Sequence, residues 1–282
     1  MKGDTGLKET KKLDKQKIQR YLQSKKTVVS VYLILRALVI LVMIAQIDKG
    51  NYENVYICLL TLILFTFPSM AERRLKIDLP DTLEIIILIF IFAAEILGEI
   101  HEYYLTIPFW DTILHTINGF LFAAIGFSLV DILNEDKRVG LHLTPVYMAV
   151  TAFCFSMTIG VLWEFFEWGV DSIFGLDMQK DTILTSIQTV NLDPTGGNTP
   201  FALNDIADTL VVFSDGSVRS LGLGGYLDVG LNDTMADLFV NFVGAVAFSV
   251  IGYFYVKSRG RGRIAKHFIP KSMEVSNRQE EQ

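Results

Sequence analysis

Six long runs of apolar residues follow one another along the chain, separated by polar connections. The runs cover residues 27–47, 52–70, 82–100, 110–133, 143–174 and 231–256. At about 1.5 Å of rise per residue, each run is long enough as an α-helix to cross about 30 Å of hydrocarbon. The fifth run is longer than a crossing requires, so we expect that helix to be tilted or to protrude. The pattern predicts an all-α integral membrane protein with six transmembrane helices.

The composition agrees with the membrane class. Hydrophobic residues make up 51% of the 282 residues, and the mean hydropathy is +0.38, which is well above the range of ordinary soluble domains. No cleavable signal peptide is visible, because the first apolar run begins only at residue 27 and has no small-residue cleavage pattern. We therefore expect the first helix to serve as its own signal anchor.

The distribution of Lys and Arg predicts the orientation, because cytoplasmic segments retain basic residues. Nine lie before residue 27, three at residues 73–76, two at residues 137–138 and seven between residues 257 and 278, whereas the opposite side carries only Lys49, Lys180 and Arg219. This asymmetry predicts a multi-pass protein of the plasma (inner) membrane with both termini in the cytoplasm. The predicted domains are a basic arm (1–26), a transmembrane domain (27–256) and a basic tail (257–282). The basic arm is expected to bind anionic membrane lipids rather than nucleic acid, and the sequence identifies no protein partner.

A long connection between the fifth and sixth helices is predicted to lie outside the membrane. Residues 175–230 are rich in Asp, Thr, Gly and Asn. Within them, residues 209–213 and 218–221 flank a Ser-Asp-Gly-Ser sequence, which is typical of a β-hairpin with an Asp-Gly turn. This extracytoplasmic subdomain is either a solvated loop or a lid over the helix ends.

The fourth helix carries a carboxylate and an imidazole one turn apart. Asp111 and His115 are four residues apart, so they are neighbours on one helix face. The same spacing occurs for an ordinary buried hydrogen-bonded pair. Inside a membrane helix, where ionisable groups are costly, it also indicates a cation site or a proton site.

The fifth helix carries three carboxylates on one face. Glu164, Glu167 and Asp171 follow at steps of three and four residues. Carboxylates this close in a low dielectric share protons or are neutralised by a metal. The structural alternative is that Glu167 and Asp171 reach water, while Trp163 and Trp168 form an interfacial aromatic belt.

The sixth and third helices add further polar residues near the same end of the predicted bundle. Asp233, Asp237 and Asn241 follow at four-residue steps, and we expect Asp233 to cap its helix. Gly244 lies one turn deeper in the same helix. It either allows a neighbouring helix to pack closely or lines the site. In the third helix, Glu95 and Glu99 are expected to line the same site.

Together these residues define a candidate site that faces outward. Oxygen and imidazole ligands fit Mg²⁺ or Mn²⁺ and tolerate Zn²⁺. The candidate metal ligands are Asp111, His115, Glu164 and Asp237; the candidate catalytic residues are Glu167, as base, and His115; the other site-lining residues are Glu95, Glu99, Asp171 and Asn241. We expect a membrane-embedded, metal-dependent hydrolase acting on a lipid-linked or cell-envelope substrate. The alternatives are a cation- or proton-coupled transporter and a noncatalytic lipid-binding or structural protein.

Three sequence motifs, in the fourth, fifth and sixth predicted helices, resemble those of a known group of bacterial proteins. Trp110-Asp111-x3-His115-x3-Gly119, Trp163-Glu164-x2-Glu167-Trp168-x2-Asp171 and Asp233-x3-Asp237-x3-Asn241-x2-Gly244 resemble the uncharacterised YjdF-like inner-membrane proteins, over residues 30–256. A more distant similarity is to VanZ-like proteins, which are associated with glycopeptide resistance and the cell envelope. The resemblance implies that the three helices act together in an envelope setting, and it implies no particular reaction.

Overall fold

The structure is a computed structural model that describes residues 25–75, 77–135, 142–258 and 267–272. The predicted basic arm before Lys25 lies outside the described residues. Two other predicted basic segments also lie outside the described residues. They are the pair at residues 137–138 and, in the predicted tail, residues 259–266 and 273–282.

Long helices make up most of the described chain. The helices are α1 Lys26–Asp48, α2 Tyr52–Leu64, α3 Phe67–Leu75, α4 Asp81–Phe92, α5 Tyr103–Thr106, α6 Trp110–Glu135, α7 Pro145–Phe174 and α8 Leu231–Lys257. The strands are short: β1 Ile77–Asp78, β2 Thr182–Leu184, β3 Ile187–Thr189, β4 Phe201–Leu203, β5 Leu210–Val212, β6 Val218–Ser220, β7 Tyr226–Asp228 and β8 Lys271–Ser272.

Within the described residues, five segments have the length and apolar composition of a membrane span. They are Lys26–Asp48, Tyr52–Arg74, Trp110–Asn134, Pro145–Phe174 and Leu231–Lys257. Each coincides with one of the apolar runs predicted from the sequence, so a multi-pass, mostly helical membrane protein is confirmed. The predicted third span differs, because α4 ends at Phe92 and the chain continues as a π-helix, Ala93–Ile100. A wider turn interrupts the α-helix there, so six uninterrupted spans are not confirmed.

The described residues divide into two compact units. The first comprises residues up to 157 together with those from 241 onward, and the second comprises residues 158–240. In the first unit, one hydrophobic cluster joins α1, α2, α4 and the π-helix, with Val39, Cys58, Leu88 and Ile96 at its centre. A second cluster includes Phe127 of α6, Ala152 of α7 and Phe248 of α8.

Glycines bring α6 and α8 into backbone contact in the first unit. A β-carbon at Gly119 would lie 2.1 Å from the carbonyl oxygen of Asn241, and one at Gly244 would lie 2.0 Å from the carbonyl oxygen of Thr116. Because side chains would force these helices apart, the small residues determine how closely they approach. The predicted role of Gly244 in close packing is confirmed. From α7, the Ser156 hydroxyl donates to the carbonyl oxygen of Gly119 at 2.7 Å.

Part of the predicted basic tail packs against the first unit. Strand β8 pairs antiparallel with β1, so that Ile77 faces Ser272 and Asp78 faces Lys271. Just before β8, the Phe268 ring meets the Phe120 ring edge-on at 5.2 Å. Residues 268–270 are therefore anchored by apolar packing as well as by the strand pairing.

The second unit contains the predicted outer connection. Strands β5 and β6 form the predicted hairpin, in which Val212 pairs with Val218 and Gly216 adopts a φ of +82° in the turn. That prediction is confirmed. Two further antiparallel pairs, β2 with β7 and β3 with β4, were not predicted. Their strands are three residues long, which is too short for a periodic pattern to be visible in the sequence.

Candidate functional site

Asp111 and His115 lie in the first turns of α6. The helix begins at Trp110, directly after Phe109, whose φ of +65° breaks the preceding backbone. Asp111 therefore sits where the helix dipole favours a negative charge. Its Oδ1 lies 3.5 Å from Nε2 of His115, and the His115 residue is 8% exposed. Asp111 and His115 are thus neighbours on one face of the helix, as predicted.

The polar face of α8 carries Asp237 and Asn241 one turn apart. Both are buried. The Asn241 amide donates to the sulfur of Met157 at 3.6 Å and accepts from the amide of Asn118 at 3.5 Å. Gly244 continues this face of α8 and packs against Thr116 of α6, next to the contact that Asn241 makes with Gly119.

Three of the four predicted metal ligands come together. One ligand atom from each of Asp111, His115 and Asp237 lies within 4.8 Å of those of the other two. A buried imidazole with two carboxylates is a donor set that suits Zn²⁺ or Mn²⁺. Within the described part of the chain, Glu164 is not a member of this close group.

Glu164 and Glu167 are both buried on α7. Glu164 is 4% exposed and Glu167 is 8% exposed, so the alternative in which Glu167 reaches open water is wrong. The Trp163 indole N–H donates to Oε1 of Glu167 at 2.7 Å. Trp163 therefore orients this carboxylate, a role that the sequence analysis did not predict, because it considered Trp163 only as part of an alternative interfacial belt. The i, i+4 spacing of the two residues was the available signal.

Asp171 holds the beginning of the outer connection. Its two carboxylate oxygens accept from the backbone N–H groups of Met178 and Gln179 at 2.6 and 2.8 Å. These bonds tie the connection to the last turn of α7. The contacts that the structure shows for Asp171 are thus structural, and it is not a member of the close Asp-His group.

Asp233 does not cap α8, contrary to the prediction. The helix begins at Leu231, so Asp233 lies inside the first turn, where its carboxylate accepts from the backbone N–H of Lys180 at 2.7 Å. Asp228, which the sequence did not single out, accepts from the backbone N–H of Asn232 at 2.8 Å instead. The prediction failed because the apolar run alone does not locate the helix start within two residues.

Glu95 and Glu99 lie in the π-helix. Glu95 is half-buried and Glu99 is exposed. In an α-helix a four-residue spacing would place them one above the other, but the wider π turn offsets them. Neither belongs to the close ligand group among the described residues.

The sequence of this chain matches that of a known protein family. Residues 30–258 match the family described as "Predicted membrane protein (DUF2238)". The chain belongs to this family. A protein of Thermotoga maritima described as uncharacterized is 28% identical over 127 residues, which cover 43% of this chain and 62% of the relative. The match therefore spans less than two thirds of that relative. No solved structure matches the chain. Membership of the DUF2238 family and the five apolar helices together identify a membrane-embedded, multi-pass protein.

Proposed function

We propose that this DUF2238 protein is a metal-dependent hydrolase embedded in the plasma membrane, acting on a lipid-linked or cell-envelope substrate. The observation that carries the proposal is the close approach of ligand atoms from Asp111, His115 and Asp237. Two carboxylates held near one another in a poorly solvated place repel, and a divalent cation removes that cost. His115 and Asp237 are both less than a tenth exposed, so bulk water does little to screen them.

Glu164 is the proposed fourth ligand. Glu164 is as deeply buried as Asp237. It is the only proposed ligand on α7. Asp111, His115 and Asp237 would hold the metal with Glu164 as a further carboxylate ligand, and the metal would supply activation of a water molecule for hydrolysis. Asn241 supports the site by fixing the face of α8 that carries Asp237.

Glu167 is the proposed general base. A divalent metal in the site would supply a water of lowered pKa, and Glu167 would be the carboxylate that accepts its proton. The indole N–H of Trp163 donates to Oε1 of Glu167 and orients this carboxylate. His115 and Asp111 are proposed to bind the same ion, because Oδ1 of Asp111 lies 3.5 Å from Nε2 of His115.

We further infer a topology with both termini in the cytoplasm and residues 175–230 outside. The third of the six predicted spans is then the interrupted helix of α4 and the π-helix, Asp81–Phe92 continued by Ala93–Ile100. Irregular helical backbone is tolerated at membrane depth where protein covers it, and Leu88 and Ile96 of this segment are buried in a core cluster. The assignment to the YjdF-like type within the family belongs to the same proposal.

Elemental analysis of the purified protein tests the metal site. We expect a near-stoichiometric divalent metal in the wild type, and its loss in His115→Ala and Asp237→Asn. The control is Glu53→Gln, which removes an exposed carboxylate from the first turn of α2 and should retain the metal. Folding of each variant is checked by its thermal transition. A wild type that binds no metal after supplementation with Zn²⁺, Mn²⁺ and Mg²⁺ would refute the proposal.

Cysteine labelling tests the topology separately. In a variant without Cys58 and Cys154, a cysteine at Ser217 in the β5–β6 turn should react with a membrane-impermeant maleimide added to intact cells. A cysteine at Ser258, directly after α8, should react only after lysis. The opposite pattern would place the outer connection in the cytoplasm and exclude an outward-facing site.

A further inference from the structure

A cavity of about 570 Å³ lies beside α1, α2 and α3, far along the chain from the Asp-His group. Its lining includes the aromatic and apolar side chains of Tyr32, Phe65 and Met70. The lining also includes the polar and basic side chains of Thr66, Ser69, Arg73 and Arg74. The cavity therefore presents two positive charges and hydroxyl groups next to a hydrophobic wall.

No carboxylate of the described residues forms an ion pair with Arg73 or Arg74. Both lie in the last turn of α3 and are exposed. Their acidic neighbour Glu72 points elsewhere, since its Oε1 binds Lys25 Nζ at 2.7 Å and the backbone N–H of Leu79 at 3.1 Å. Two adjacent guanidinium groups without a carboxylate suit a phosphate, which accepts several of their N–H donors at once.

Tyr32 adds a donor and explains Arg36. The Arg36 guanidinium donates to the Tyr32 hydroxyl oxygen and also stacks over the Tyr32 ring at 5.7 Å. Because that oxygen already accepts a bond from Arg36, the hydroxyl hydrogen is available to donate into the cavity. Arg36 thereby increases the positive potential of the cavity without lining it, which accounts for a charged residue ten positions inside α1.

The apolar wall indicates what is attached to the phosphate. Phe65 is fully buried and its ring packs against Tyr32 at 6.3 Å. Beyond it, Ile63, Phe67 and Met70 expose large apolar surfaces, as expected for side chains that contact lipid. A ligand that fills both parts has an anionic head and a hydrocarbon chain.

We propose that this cavity binds a phosphate ester anion, namely the head group of an anionic phospholipid whose chain lies along the exposed side chains of Met70 and Phe67. Arg73 and Arg74 hold the phosphate, and Tyr32 and Ser69 donate to its oxygens. This site is independent of the proposed metal centre, and either can exist without the other.

Native mass spectrometry of the delipidated full-length protein, titrated with phosphatidylglycerol, tests the proposal. We expect one tightly bound phosphatidylglycerol per chain. The double variant Arg73→Gln/Arg74→Gln should bind it at least tenfold more weakly, and Tyr32→Phe several-fold more weakly, with thermal transitions that match the wild type. Lys257→Gln is the matched control, because Lys257 is an exposed basic residue in the last turn of α8 and should not alter the tight binding.

Two additional titrations identify the source of the phosphate. If glycerol 1-phosphate displaces phosphatidylglycerol only at far higher concentrations, the site takes the lipid; equal competition identifies a soluble phosphate ester as the ligand. Phosphatidylcholine, which has no net charge, should not bind tightly. Undiminished affinity in the double arginine variant would overturn the proposal, as would an equal loss in Lys257→Gln.

Discussion

Gly244 of α8 lies directly against Thr116 of α6, so that a β-carbon at residue 244 would come within 2.0 Å of the Thr116 carbonyl oxygen. One turn along α8, the Asn241 side chain meets Asn118 of α6. The backbone contact and the amide contact together fix both the separation and the rotation of the two helices. The contacts of Gly244 and Asn241 therefore decide which face of α8 turns towards α6.

Substitution of Gly244 should therefore be costly. In Gly244→Ala the new methyl group meets backbone atoms that have no freedom to move aside, and we expect a loss of about 1–3 kcal/mol of stability. Gly169→Ala in α7 is the matched control, because a β-carbon there meets nothing within 4 Å and alanine favours a helix by about 0.5–1 kcal/mol. Thermal unfolding in detergent can be monitored by size-exclusion chromatography. The transition temperature should be higher than wild type for Gly169→Ala and lower for Gly244→Ala. Equal transitions for the two variants would show that α6 and α8 separate without cost.

Lys25 is buried among carboxylates at the start of α1. Its Nζ donates to Glu72 at 2.7 Å, to Glu84 at 3.0 Å and to the carbonyl oxygen of Leu79 at 3.1 Å. Lys25→Met would leave two buried carboxylates without their cation, and we expect a loss of about 3–5 kcal/mol. The neighbouring Lys26 is exposed, so Lys26→Met should change stability little. Unfolding measured for the two variants side by side should show the difference, and similar transitions would contradict it.

The contribution of Lys25 should not depend on pH near neutrality. Burial alone would lower the pKa of Lys25, but Glu72 and Glu84 raise it further, so that the pKa lies above its ordinary value of 10.5. For a raised pKa, the stabilisation is fully present below the unfolded value and is lost only as the pH rises through the folded value. The stability difference between wild type and Lys25→Met should thus be constant between about pH 7 and pH 9. A decline over that interval would show that Lys25 loses its proton earlier.

Asp193 organises a turn of the outer connection and should make it sensitive to acid. Backbone N–H groups of Thr199 and Thr195 and the Thr195 hydroxyl lower the pKa of Asp193 from 3.8 to about 2. For a lowered pKa, the stabilisation is present above the unfolded value and is lost as the pH falls through the folded one. Hydrogen exchange, corrected for intrinsic rates, should show the Thr195 and Thr199 amides losing protection only below about pH 4. Asp193→Ala should lose it at every pH, whereas Asp205→Asn, an exposed site in the same connection, should behave as wild type.

The segment before β8 should stabilise the first unit. Ile269 is 2% exposed and belongs to the cluster that contains Leu79 and Leu83. Ile269→Ala should cost about 2–5 kcal/mol, as other large-to-small core substitutions do. His267, two residues earlier, is exposed, so His267→Ala should leave the thermal transition unchanged. If both variants unfold with wild-type transitions, the tail segment contributes nothing to the core.

The first turns of α6 show how much of the candidate site can be predicted from local sequence spacing. Asp111 and His115 share a face because any α-helix brings residues four apart together. Glu167 and Trp163 meet for the same reason, although the sequence suggested a different role for Trp163. Asp237 required more than spacing, since its approach to the Asp-His pair depends on the close packing that Gly119 and Gly244 permit.

By itself, the sequence determined the membrane class, the positions of five apolar spans and the β5–β6 hairpin. Each is set by a local requirement: hydrocarbon demands about 20 apolar residues per helical crossing, and an Asp-Gly turn favours a tight hairpin. Only the tertiary structure decided that Lys25 pairs with Glu72 and Glu84, 47 and 59 residues away, and that β8 docks on β1. Such pairings depend on which surfaces meet after the helices have packed, and no periodic pattern along the chain records that.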